Sequence, residues 1–152
     1  MAKKRVSLLD VNVLVALFFP NHVHHELAHD WFADYRDEGW ATCPMTENGF
    51  IRVSCRQQSG DLPVRAEEAI AQLDRFRTDK RHQFWPDSLS LTDATLFAPQ
   101  FIQGHRQVAD IYLLGLAQKM GGRFATFDRA ISRQAVLNAT PDALMIIEPL
   151  DD

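Results

Sequence analysis

Apolar positions follow two alternating rhythms along this chain: short unbroken runs that stop at an acid or amide, and longer stretches that repeat every three or four residues. The first run, Val6-Ser7-Leu8-Leu9, closes on Asp10-Val11-Asn12. It lacks in/out alternation, which predicts a strand buried on both faces, as in a parallel sheet covered by helices. Residues 13–19 stay apolar up to Pro20, too short a run to cross a bilayer, and predict a buried helical turn or short helix. Asn21 starts a further helix, in which Leu27, Ala28, Trp31 and Tyr35 form one apolar stripe that ends near Gly39. Residues 39–44 read as a second strand. Thr46 then caps a helix with Phe50, Ile51, Ser54 and Cys55 inward and Arg52 and Arg56 on an outward face.

Gly60-Asp61-Leu62-Pro63 marks a turn, and Ala66, Ala69, Ile70, Leu73 and Phe76 give a helix over 64–76. Phe84-Trp85-Pro86 predicts a brief edge strand, where proline is tolerated. A short helix is expected from Leu91 through Phe97, with Thr92 and Asp93 as capping residues, and a longer one over 108–120, stopped by Gly121-Gly122. Arg123-Phe124-Ala125-Thr126-Phe127 then repeats the opening pattern by ending at Asp128, and residues 143–147 give a last strand before an acidic tail, 148–152. Strands alternating with helices at this spacing call for an α/β fold: a mostly parallel sheet of four to five strands with helices on both faces. A length of 152 residues fits one domain spanning 1–152, with its core at about 6–147.

An apolar content of 46% with 24% charged residues excludes disorder, and no run is long enough for a membrane span. Lys3-Lys4-Arg5 has the charge of a signal peptide start, but Asp10 and Asn12 interrupt the apolar run, so a cytoplasmic location is expected. Cys43 and Cys55 have neither metal nor redox spacing and read as free thiols. The net charge of −4 argues against broad electrostatic binding of nucleic acid. A local basic face stays open: residues 50–82 hold seven basic side chains against five acidic ones.

Asp10, Glu47 and Asp128 each follow a predicted strand, and Asp110 lies at the start of a helix. Singly, each has an ordinary explanation as a cap or as a partner of the helix dipole. Together they can converge beyond the carboxyl ends of the strands, where open α/β sheets bind ligands. Clustered carboxylates repel, so without a cation at least one would take a proton. Hard oxygen ligands suit Mg²⁺ or Mn²⁺, and Mg²⁺ usually shares its shell with substrate phosphates. Metal-assisted hydrolysis of a phosphodiester is the chemistry expected. Asn12 would bond Asp10 or the phosphate, Thr126 would orient Asp128, and Arg52 and Arg56 would hold flanking phosphates.

A competing pattern is His25-Glu26-Leu27-Ala28-His29, the H-E-x-x-H spacing of zinc peptidases. At about 100° per residue both histidines fall well off the apolar stripe, towards solvent, and His22 and His24 make the stretch a histidine-rich polar face. The non-enzymatic alternative is a module that binds RNA or protein without cleaving it.

Leu9-Asp10-Val11-Asn12-Val13-Leu14, Thr46-Glu47-Asn48-Gly49-Phe50-x-Arg52, Asp110-x-x-Leu113 and Thr126-Phe127-Asp128 resemble, in order and spacing, the acidic motifs of PIN-domain ribonucleases, and among these the VapC toxins of toxin-antitoxin modules. The resemblance implies a PIN-like domain and a Mg²⁺- or Mn²⁺-dependent endoribonuclease, with Asp10, Glu47, Asp110 and Asp128 as the catalytic, metal-binding quartet and Asn12 and Thr126 in support. It also implies an RNA substrate, transfer RNA or another structured RNA among the candidates, a VapB-type antitoxin and a homodimer. Trp31, Phe32 and Trp40 read first as core, with an antitoxin groove as the alternative.

Overall fold

Five short strands form one sheet in the order β5-β2-β1-β6-β7, and every neighbouring pair is parallel. They are β1 (Ser7–Leu9), β2 (Trp40–Thr42), β5 (His82–Phe84), β6 (Arg123–Thr126) and β7 (Leu144–Ile146). The computed structural model describes residues 4–59 and 62–149. The helices are α1 (Val11–Phe18), α2 (His25–Tyr35), α3 (Pro44–Ser54), α4 (Ala66–Phe76) and α5 (Val108–Lys119). A small antiparallel pair, β3 (Gln58–Ser59) with β4 (Leu62–Pro63), projects between α3 and α4. The turn expected at Gly60-Asp61-Leu62-Pro63 has its first two residues outside the described ones, as does the tail from residue 150.

Successive strand residues serve opposite faces, which is why the strands read as unbroken apolar runs. Leu8, Phe124 and Leu144 pack towards α5, with Phe97, Ile111 and Leu114. Leu9, Ala125 and Met145 pack towards α1 to α4, with Leu14, Trp31, Trp40 and Phe50. In α1 five consecutive residues, Val13 to Leu17, are buried. Burial of each Val or Leu contributes about 1.5–3 kcal/mol, which outweighs a helix-propensity deficit of about 0.7 kcal/mol at most for each valine. Trp31 and Trp40 are core, and half-buried Phe32 packs edge-on against Trp40 with ring centroids 4.9 Å apart.

Several local expectations shift. Helix α2 starts at His25 rather than Asn21, because residues 20–24 turn: the His22 carbonyl accepts from His25 N–H, and His22 Nδ1 accepts from His24 N–H at 3.0 Å. Helix α3 is capped at Cys43 and carries Pro44 in its first turn. Thr46 sits three residues in, where its Oγ1 accepts from Cys43 N–H at 3.0 Å. The edge strand β5 lies at His82–Phe84, with Trp85 buried just beyond it. No helix forms over 91–97: Asp93 Oδ1 captures both the N–H and the hydroxyl of Thr95, at 2.9 and 2.6 Å, and such side-chain bonds compete with the helix. Both cysteines are free, and burial pushes the Cys43 thiol up to about 11. Among the described residues no helix is long and apolar enough to cross a membrane.

Candidate active site

Asp10 ends β1 and caps α1, its Oδ1 accepting from Val11 N–H at 2.7 Å. Its other oxygen accepts from the Thr126 hydroxyl at 2.7 Å. The same hydroxyl oxygen accepts from Asp128 N–H at 3.1 Å, and Asp128 Oδ1 in turn accepts from Ala130 N–H at 2.8 Å. Thr126 thus ties the ends of two adjacent parallel strands and fixes both acids by one side-chain atom. Asp110 joins them from the first turn of α5. Gln107, buried just ahead of that helix, donates from its amide to the Ala130 carbonyl and pins the loop after Asp128.

The three acids are crowded but unequally solvated: Asp10 is buried, Asp110 half-buried and Asp128 exposed. Burial raises the Asp10 carboxyl above its ordinary value, and Asp128 adds to the rise. Asp110 is pushed up to about 7, first by burial and then by the charges of Asp10 and Asp128. Among the described residues none of these three acids forms an ion pair. A divalent cation among hard oxygen donors relieves such repulsion, so the donor set fits Mg²⁺ or Mn²⁺. Among the described residues no three side chains form a ready-made metal cage.

Glu47 stands apart. It lies in the first turn of α3, at the same end of the sheet, and α3 packs so closely on α1 that a Cβ on Gly49 would come within 2.6 Å of Val11. Its side chain, however, is engaged elsewhere. Oε2 accepts from the Thr42 hydroxyl at 2.6 Å and Oε1 accepts from Arg77 at 3.2 Å. Because the Thr42 hydroxyl proton goes to Glu47, Thr42 in turn accepts from His82 Nε2 at 2.8 Å; burial and Arg77 lower the His82 pKa to about 4. Sequence reasoning missed Thr42, Arg77 and His82. For Thr42 a signal exists: Ala41-Thr42 and Ala125-Thr126 both end a strand, and both threonines donate to a carboxylate.

Asn12 is exposed on α1, and its side chain has no hydrogen-bond partner among the described residues. Arg52 and Arg56 are exposed on α3 and just beyond it. In the H-E-x-x-H stretch His29 is exposed and His25 is half-buried. His25 Nδ1 and His29 Nε2 each lie 2.7 Å from a carbonyl oxygen, Ala16 and Leu17 respectively, and satisfy the open end of α1. Each ring therefore spends one nitrogen on backbone, and among the described residues no third ligand joins them.

Residues 7–137 match the PIN domain. The chain belongs to the PIN-domain family. Ribonuclease VapC39 of Mycobacterium tuberculosis is 42% identical over 129 residues, which cover 85% of this chain and 93% of that protein. Ribonuclease VapC44 of the same organism is 41% identical over 138 residues, 91% and 96% of the two chains. Within the family the chain is thus of the VapC type. A crystal structure of VapBC2 from Rickettsia felis bound to a DNA fragment from its promoter shares the fold, with a TM-score of 0.56 at 14% identity over 96% of this chain and 99% of that one.

Proposed function

We propose that this chain is a metal-dependent endoribonuclease, the toxin of a type II toxin-antitoxin pair. Its site is built on Asp10, Asp110 and Asp128, with Glu47 as the fourth acid. The observation that carries this reading is the cluster itself: three acids, just after β1, in α5 and just after β6, without a cationic side-chain partner among the described residues, one of them pushed up to about 7. Unpaired carboxylates as buried as Asp10, or half-buried as Asp110, destabilise a fold unless a ligand compensates them. The VapC ribonucleases at 41–42% identity support RNA as the substrate class.

Bound there, Mg²⁺ or Mn²⁺ would supply a Lewis acid for the phosphoryl oxygen and a lowered pKa for the attacking water. The chain's part is positional. Thr126 holds Asp10 and Asp128 in fixed relation, and Gln107 keeps the Asp110 helix against the loop after Asp128. Asn12, exposed two residues after Asp10, and the exposed Arg52 and Arg56 would meet phosphates of a bound strand. Structured RNA such as transfer RNA is the proposed target. The protein would act in the cytoplasm as a homodimer, neutralised by a VapB-type antitoxin.

The decisive experiment incubates the purified chain with total RNA, with Mg²⁺ or Mn²⁺ and with chelator, beside Asp10→Asn, and maps new RNA ends by sequencing. Discrete cuts that require both metal and Asp10 are the expected result. Intact RNA in every arm would leave the chain a binding module without turnover.

A further inference from the structure

Glu47 is the one acid of the expected four whose carboxylate is engaged outside the aspartate cluster, held by two donors from separate elements. Thr42 at the end of β2 grips Oε2 and is itself braced by His82 of β5. Arg77, at the C-terminal end of α4, grips Oε1. The two grips differ in kind. Thr42 is wholly buried and fixed in the sheet. Arg77 has 37% of its side chain exposed, against 13% for Glu47, and its guanidinium rests over the Phe84 ring, 4.7 Å from the centroid. One oxygen is therefore clamped by a rigid neutral donor and the other by a movable cation.

Exposed ion pairs of this kind add little to stability, because two long side chains must be ordered for a screened attraction. What Arg77 does do is neutralise a carboxylate that starts beside the Asp10 helix, at the end of the sheet where three like charges already crowd together.

We propose that Arg77 is a resident competitor for the fourth carboxylate: it holds Glu47 Oε1 in the resting protein, and a divalent cation at Asp10, Asp110 and Asp128 recruits Glu47 only by displacing it. Arg77 is thus a positioning residue acting through Glu47. Thr42, braced by His82, keeps the carboxylate at the site during the exchange by retaining Oε2. The inference rests on the metal-dependent reading of the acidic cluster. It makes metal occupancy, rather than RNA binding, the step that Arg77 controls.

The test measures Mn²⁺ binding to the full chain in the absence of RNA, by the paramagnetic resonance signal of free Mn²⁺ and by calorimetry. Arg77→Gln is expected to bind Mn²⁺ about two- to fivefold more tightly than wild type, the range a half-exposed ion pair supports. Arg77→Lys keeps the charge and stays near wild type. Adding Glu47→Gln to Arg77→Gln removes the gain, which shows that it runs through Glu47. Unchanged or weaker Mn²⁺ binding by Arg77→Gln overturns the proposal, and a raised KM for RNA with unchanged Mn²⁺ binding does so in favour of a phosphate-binding arginine. Asp10→Asn separates this failure from failure of the nuclease reading. If Asp10→Asn abolishes Mn²⁺ binding and cleavage while Arg77→Gln matches wild type, only the Arg77 proposal falls. If Asp10→Asn binds Mn²⁺ like wild type and no variant cuts RNA, both fall.

Discussion

The paired strands β1 and β6 bury a charge at each end, and the two ends treat it in opposite ways. At the amino ends, Arg123 is 8% exposed. Its Nε donates to Ser7 Oγ at 2.9 Å, its Nη2 to Glu38 at 3.3 Å, and its plane lies 4.8 Å from the Tyr35 ring centre. At the carboxyl ends Asp10 is also 8% exposed, yet it meets only a hydroxyl and a backbone N–H, with two further acids beside it. Equal burial with unequal compensation separates structure from function. A paired buried charge belongs to the fold, whereas an unpaired one is maintained at the expense of stability for a ligand.

The sharpest way to break this contrast is to neutralise each end in turn. Asp10→Asn should lower kcat/KM for RNA cleavage by about a thousandfold, several kcal/mol of lost transition-state stabilisation. The metal-free protein should melt no lower than wild type, since the amide carries no charge to desolvate. A variant that cleaves normally but melts early would make Asp10 a structural cap and nothing more. Arg123→Met should do the reverse. Breaking that pairing costs about 3 kcal/mol in urea unfolding, as for a buried ion pair stripped of one partner, while Mn²⁺ binding per folded molecule is unchanged.

The smallest effect sharpens the comparison through pH. The Asp110 carboxyl lies at about 7 in the fold against 3.8 in the unfolded chain, so between these values the native state binds more protons than the unfolded one. Stability of the metal-free protein therefore falls as pH rises from about 4 to 7, with the full penalty present above 7 and none below the unfolded value. Melting curves from pH 5 to 8 should drop by a few degrees for wild type and less for Asp110→Asn, and Mn²⁺ should reverse the trend. A wild-type curve as flat as that of Asp110→Asn would remove Asp110 from the strained set.

What the sequence made legible was whatever its neighbours in the chain decide. The acids at strand ends and the apolar runs on two-faced strands are local patterns, and Asp10, Thr126 and Asp128 meet because parallel pairing brings their strand ends level. The orientation of Glu47 was not legible. It depends on Arg77 and, through Thr42, on His82, which lie 30 and 35 positions away on elements whose register no local pattern gives. Edge strand β5 was placed two residues late because His82-Gln83-Phe84 is largely polar and only its pairing with β2 makes it a strand. Helical phase directs the histidines at 25 and 29 towards solvent, and His29 is exposed, yet both rings also reach backbone carbonyls. A phase gives a direction, but not that the carbonyl end of α1 lies there.

The central pairing of β1 with β6 has a consequence in time. The Thr126 bond to Asp10 closes a span of 116 residues, among the slowest kinds of contact for a folding chain to reach. Strands β1, β2 and β5 emerge first during synthesis, and they carry only Asp10 and Glu47 of the four acids. The cluster has no partial form. A chain stalled, clipped or misfolded before Arg123 lacks both Asp128 and the hydroxyl that sets Asp10. For a molecule proposed to be harmful when active, a site that needs both β1 and β6 leaves any copy that ends before β6 without its complete set of acids.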